Sequence, residues 1–167
     1  MRTVKLTLWI FILYILQTVF CGVISVCGAV ADLLLVFCLA YAFMERSVSS
    51  ASTVIIICSV LNGSAAGRVF PVVAAATALG GIVSYSFYNY LRFIPSYLRF
   101  LIVVIVTAFV CGTLETVIAY RSIGQALGMA LPYLIYTAAS SVIIYPLLYR
   151  TIFKDEKGKK FIIQERN

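Results

Sequence analysis

Two acidic residues, Asp32 and Glu115, stand inside long apolar segments of this chain. A carboxylate withdrawn from water is costly, so each is expected to face a packed interior, a cavity or another protein. The chain has no histidine, and paired acid–base chemistry would require Asp32 and Glu115 to meet in space. No serine or cysteine constellation offers another catalytic route. We therefore predict a protein that is not an enzyme.

The thiols do not form a recognisable metal-binding pattern. They have neither CxxC nor Cys/His spacing, and each lies within or beside an apolar segment, at Cys21, Cys27, Cys38, Cys58 and Cys111. Such thiols are usually buried and free. We predict no metal site and no cofactor.

The surroundings of Glu115 suggest a packing surface. Thr107, Cys111 and Glu115 recur every four residues, and Ala108 and Gly112 fall on the same side of a helix. A stripe of small, weakly polar residues allows another helix to approach closely. Glu115 would then be either a polar contact between helices or with a partner, or part of a ligand or proton pathway.

Asp32 also has two interpretations. Its carboxylate could cap a helix that begins in the run of leucines at 33–35, where it would accept hydrogen bonds from free backbone amides. Alternatively, it contacts a partner or ligand near the outer face of the protein. Further along, Asn62, Gly63 and Gly67 predict a turn, because these residue types tolerate the backbone geometry of a tight reversal.

The elements that carry these residues are apolar enough to be surrounded by lipid. Apolar residues make up 63% of the 167 positions, and the mean hydropathy is +1.06. This exceeds the composition of soluble domains. We predict an all-α integral membrane protein with about six transmembrane helices in one domain, 1–153, followed by a basic cytoplasmic tail, 154–167. The predicted helices are 4–22, 26–44, 49–62, 70–90, 97–120 and 125–153, of which the second and third look short for a crossing.

Charge placement indicates topology, not nucleic-acid binding. The net charge is +7, but no basic helix face interleaved with aromatic residues occurs. With the amino terminus in the cytoplasm, only Arg68 and Arg121 lie outside, and the other cations lie inside, namely Arg2, Lys5, Arg46, Arg92, Arg99, Arg150, Lys154, Lys157, Lys159, Lys160 and Arg166. The positive-inside rule favours this orientation, with both termini in the cytoplasm of a bacterial inner-membrane protein.

Several of these features together resemble the family of the bacterial rod-shape-determining protein MreD. The resemblance covers about 6–153 and rests on Gln17 with Thr18, the Asp32 leucine run, the Asn62-Gly63…Gly67 segment, Glu115, and the sequence YPLLYR at 145–150. Two positions depart from the family pattern. Ala31 stands where family members usually have proline, and Ser59 stands where they often have an acid, so a role tied to that acid does not transfer.

The resemblance implies a non-enzymatic membrane scaffold of the cell-elongation machinery, which would help to organise peptidoglycan synthesis. It implies an MreC-like bitopic protein as the direct partner and indirect links to MreB, RodA and a class B penicillin-binding protein. The family is also similar to the S components of energy-coupling-factor transporters, which suggests an S-component-like bundle. A vitamin- or metal-binding S component is therefore the alternative function.

Overall fold

The structure is a computed structural model that describes residues 2–20, 30–65, 70–90, 95–120 and 123–153. Within these ranges, the side chains of 20, 88–90, 115–116, 119–120, 123–127 and 129 are outside the description. The described chain forms six helices and no β-strand, which confirms the predicted all-α membrane bundle. They are α1 (Arg2–Ile15), α2 (Leu33–Met44), α3 (Val48–Ala65), α4 (Phe70–Tyr90), α5 (Ser96–Tyr120) and α6 (Ile123–Leu148).

Two of the helices end in a wider turn. α1 continues as one turn of π-helix at Leu16–Phe20, and α6 continues as another at Tyr149–Phe153. Five helices, all except α2, are long and apolar enough to cross a membrane. Their outward side chains are largely apolar, as expected where the neighbouring medium is hydrocarbon.

α2 is the centre of the bundle. It has 12 residues, so the helix by itself is about 18 Å long, which is shorter than a hydrocarbon layer of about 30 Å. Every side chain from Leu34 to Ala42 is fully buried, because α2 contacts each of the other five helices. A helix that is apolar on all sides must be enclosed in this way.

The predicted start of the second helix at residue 26 is wrong. Residues 30–32 are not helical and α2 begins at Leu33, while 21–29 lie outside the described residues. The reason is local, because the Asp32 carboxylate accepts a hydrogen bond from the Leu35 amide and thereby caps the helix.

The third helix is longer than predicted, and the predicted turn is wrong at its first two residues. α3 has 18 residues and includes Asn62 and Gly63, while Gly67 lies outside the described residues. Gly63 serves close packing, since a Cβ built on it would lie 2.9 Å from the Cβ of Ala74 and 2.9 Å from the carbonyl oxygen of Phe70.

Small residues of α4 allow the neighbouring helices to approach closely. A Cβ on Gly80 would collide with Cγ2 of Thr107 on α5, and one on Gly81 would lie 2.8 Å from Cγ1 of Ile55 on α3. Ser84 is buried and donates a hydrogen bond of 2.8 Å to the Leu39 carbonyl of α2. This face of α4 is therefore occupied inside the bundle.

Candidate functional site

The candidate site is a buried group of hydrogen-bonded side chains at the start of α2, called here the Asp32 network and consisting of Gln17, Asp32, Asn62, Thr77 and Tyr133. Asp32 is 6% exposed. Its Oδ1 accepts from the Leu35 amide at 2.8 Å, and its Oδ2 accepts from Asn62 Nδ2 at 2.7 Å and from the Tyr133 hydroxyl at 3.0 Å. One carboxylate thus joins α2, α3 and α6.

Asn62 extends the Asp32 network to two more helices. Its second amide hydrogen is donated to Thr77 Oγ1 on α4 at 2.9 Å, and its Oδ1 accepts from Gln17 Nε2 at 2.8 Å. Gln17 in turn accepts from the Leu34 amide at 2.9 Å. Asp32 and Gln17 therefore satisfy two of the amide groups that the first turn of a helix leaves without a helical partner.

The Asp32 network lies deep in the bundle. α2 begins there and ends beside Glu45, about 18 Å away along its axis, and Glu45 pairs with Arg2 at the first residue of α1. Gln17, in the π-helical turn that continues α1, lies fifteen residues after Arg2, which gives a similar distance of about 22 Å. A polar group buried this far inside a bundle of apolar helices must find its partners within the protein.

The geometry suits the joining of helices. All the contacts of Asp32 described above are with hydrogen-bond donors of neighbouring helices and of its own helix cap. Among the described residues, no group of three or more His, Cys, Asp or Glu side chains stands together as metal ligands would. The arrangement can therefore hold four helices, α1, α3, α4 and α6, around the start of α2.

A second polar group lies at the end of the bundle that holds Arg2, and we call it the Arg2 clamp, consisting of Arg2, Tyr41, Glu45, Ser50 and Phe153. Arg2 forms an ion pair with Glu45, and its guanidinium lies 5.3 Å from the ring centroid of Phe153. The Tyr41 hydroxyl lies 2.9 Å from Glu45 and 2.7 Å from Ser50. The clamp therefore places the start of α1 and the final turn of α6 at one end of the bundle.

Glu45 is ionised in this setting. It is 8% exposed, and burial opposes its charge. The amide of Ser47, the Tyr41 hydroxyl and the Arg2 guanidinium outweigh burial and lower the pKa of Glu45 below its ordinary value of 4.5. Sequence reasoning missed Glu45. The signal that could have identified it is its position as a single acid between two apolar helices.

The stripe predicted on α5 faces the interior where it is described. Thr107, Ala108 and Cys111 are buried, and a Cβ on Gly112 would lie 2.7 Å from the ring of Tyr133 on α6. Glu115 belongs to α5, but its side chain lies outside the described residues. The structure therefore brings together Gln17, Asp32 and Asn62 in one network, and it places Gly112 beside Tyr133, a member of that network.

Sequence reasoning did not single out Thr77, Tyr133 or Thr137. Thr77 and Tyr133 belong to the Asp32 network, and Thr137 Oγ1 accepts a hydrogen bond from the Asp32 backbone amide at 3.4 Å. Hydroxyl-bearing residues within apolar helices are a weak signal, because many bond only to their own helix, as Thr53 does with Ser49. Their role is visible only in the packed bundle.

Compared with models of protein families, with curated proteins and with solved structures, the chain matches none.

Proposed function

We propose that this protein is a non-enzymatic scaffold of the bacterial cell-elongation machinery, which binds an MreC-like bitopic protein in the inner membrane and helps to organise peptidoglycan synthesis. Through that partner it would be linked to MreB, RodA and a class B penicillin-binding protein. The observation that carries the proposal is the Asp32 network. Gln17, Asp32 and Asn62 come from three separate parts of the resemblance to the MreD family, and they meet in one hydrogen-bonded group.

The chemistry of the Asp32 network supports a scaffold over an enzyme. The two oxygens of Asp32 accept hydrogen bonds from the Leu35 amide, Asn62 and Tyr133, so the carboxylate is occupied by helix contacts. A buried network that is well satisfied rigidifies a bundle. A partner helix in the membrane would bind such a bundle by close packing and interhelical hydrogen bonds, because apolar surface alone does not drive association in lipid.

Depletion of the protein in its own rod-shaped host tests this proposal. If the chain serves elongation, cells should widen and become round as the protein is lost, and reintroduction of the wild-type gene should restore rods. A Ser52→Ala gene is a suitable control and should also restore rods, because the Ser52 hydroxyl is exposed and bonds within its own helix. Cells that keep their rod shape and wall synthesis after complete depletion would exclude the proposal.

We also propose that both termini lie in the cytoplasm. Eleven of the thirteen cations then fall on the cytoplasmic side, and the Arg2 clamp holds the start of α1 near Phe153, the last described residue of the final helix. A fluorescent protein fused after residue 167 should fold and fluoresce, while alkaline phosphatase fused there should be inactive. The opposite pair of results would reverse the orientation.

The alternative is the substrate-binding S component of an energy-coupling-factor vitamin or metal transporter. One observation favours it, namely that α2 begins at membrane depth in polar surroundings, as interrupted helices do in transporter binding sites. An S component should bind a vitamin or metal ion tightly after purification. The scaffold proposal expects no such ligand, and mass spectrometry of the purified protein under native conditions distinguishes the two.

A further inference from the structure

The first helix has polar contacts with the rest of the bundle at both of its ends. At one end, Arg2 forms an ion pair with Glu45, just after α2. At the other end, Gln17 donates to Asn62 at 2.8 Å and accepts from the backbone amide of Leu34 at 2.9 Å. Since Arg2 contacts the end of α2 and Gln17 contacts its start, α1 runs antiparallel beside α2.

Between these ends, α1 presents a narrow apolar seam to the bundle. Three of its fourteen residues are buried, which are Leu6, Ile10 and Leu13. By contrast, ten of the twelve residues of α2 are buried. The Thr7 hydroxyl bonds within α1, to the Thr3 carbonyl. In the part of the chain that the structure describes, residues 6–16 make no hydrogen bond to another helix.

An apolar seam of this kind holds a helix only weakly in lipid. Acyl chains are as apolar as leucine, so moving the seam from lipid into the protein brings no hydrophobic gain, and association depends on packing and interhelical hydrogen bonds. For α1, those hydrogen bonds come from Gln17 at one end and from Arg2 and Lys5 at the other, where Lys5 Nζ donates to the Thr151 carbonyl at 3.3 Å. The polar contacts that keep α1 docked are therefore concentrated at its ends.

The part of α2 that α1 covers is apolar and fully buried. Leu34 and Tyr41 contact the two ends of α1 and lie two helical turns apart on one side of α2. Phe37 lies between them and stacks on the ring of Tyr41. All three side chains are fully buried, although α1 itself is largely open to the outside, as at Leu8, which is 57% exposed. Movement of α1 would therefore uncover this side of α2.

We propose that α1 is a latched helix, which its polar ends hold against α2 and which can move aside while α2 to α6 stay assembled. Its release would open the side of α2 that carries Leu34, Phe37 and Tyr41 to the membrane.

The other five helices keep contacts that do not involve α1. Asp32 remains bonded to Asn62 and Tyr133, and Asn62 remains bonded to Thr77. These bonds join α2, α3, α4 and α6 whether or not α1 is docked. The latch does not depend on the function proposed above.

The distance between α1 and the other helices tests the proposal. Spin labels carried on unnatural amino acids are placed at two exposed positions, Phe11 of α1 and Leu79 of α4. A second labelled protein carries them at Ile56 of α3 and Val106 of α5, which are also exposed, as the reference for the rest of the bundle. Pulsed electron–electron double resonance in nanodiscs gives the distribution of the α1–α4 distance and of the α3–α5 distance.

In the wild-type background, we expect one dominant distance for each pair. An interhelical hydrogen bond in a membrane protein averages about 0.6 kcal/mol, so each lost bond should raise the ratio of displaced to docked α1 about threefold. Q17L removes two such bonds and should raise the ratio about eightfold. R2Q/E45Q removes the ion pair at the other end and, combined with Q17L, should raise it further.

The triple variant Q17L/R2Q/E45Q should therefore show a second, longer α1–α4 distance and an unchanged α3–α5 distance. T7A is the matched control on the same helix and should resemble the wild type in both distances, because the Thr7 hydroxyl bonds within α1.

Two results would overturn the proposal. One is an α1–α4 distance that stays the same in the triple variant, because the apolar seam alone would then hold α1. The other is a lengthening or broadening of both distances together, because α1 would then separate only when the whole bundle comes apart.

Discussion

Replacing Asp32 with alanine should destabilise the bundle by removing three hydrogen bonds at once. The lost helix cap costs about 1 kcal/mol, and the two lost interhelical bonds, from Asn62 and Tyr133, average about 0.6 kcal/mol each in membrane proteins. Asn62 is 2% exposed, and an amide hydrogen left there without an acceptor adds about 1–3 kcal/mol. We therefore expect Asp32→Ala to lower the free energy of unfolding by about 3–5 kcal/mol.

The free energy of unfolding can be measured in mixed micelles of increasing dodecyl sulfate fraction, with Trp9 fluorescence as the signal. Trp9 packs against the core of the bundle, so its emission should change when the helices separate. Asp32→Asn keeps one oxygen for the helix cap but turns an amide group toward Asn62, and it should cost about 1–2 kcal/mol. Thr18→Ala is the control and should stay within about 0.5 kcal/mol of the wild type. An Asp32→Ala protein as stable as that control would refute the structural role of the Asp32 network.

Three further changes test other parts of the structure. Since the pKa of Glu45 is lowered, its ion pair should contribute stability above pH 4.5, and this stability should be lost as the pH falls below that value. In an unfolding titration, Glu45→Gln should therefore be less sensitive to acid than the wild type. Gly112→Ala should cost about 1–3 kcal/mol of unfolding free energy because its Cβ would lie 2.7 Å from the Tyr133 ring. In the same assay, the control Gly128→Ala should be neutral or slightly stabilising, because a Cβ there would meet no atom within 4 Å. Gln17→Leu removes bonds to Asn62 and to the first turn of α2, so it should lower the unfolding midpoint, and an unchanged midpoint would remove Gln17 from the network.

The long apolar elements could be predicted from the sequence because hydrophobic length dominates folding in a membrane. The predicted ranges for α4 and α5 agree with Phe70–Tyr90 and Ser96–Tyr120 within one residue. The start of α2 could not be predicted from hydropathy, since the segment 23–30 is still mostly apolar and has no charged residue. The cap of Asp32 and the contact with Gln17 decide where the helix begins, and the second of these joins residues that are distant in the chain.

The candidate site could be predicted only in part, because most of its contacts join residues that are distant in the chain. Asp32 stands out as an acid in an apolar segment, but its partners Asn62 and Tyr133 become neighbours only when α3 and α6 pack around α2. Asn62 and Gly63 looked like a turn because these types favour turns. In the bundle, Asn62 instead supplies hydrogen bonds to three helices, and Gly63 allows α3 and α4 to meet closely.

The most direct test of the proposed scaffold is the identity of the proteins that remain bound to it in a mild detergent. The tagged chain is purified from the membranes of its own host, and bound proteins are quantified by mass spectrometry against an untagged strain. We predict a bitopic MreC-like protein in amounts comparable to the tagged chain, accompanied by lower amounts of elongation proteins. Recovery of a transporter ATPase pair without any bitopic partner would contradict the scaffold and favour the S component.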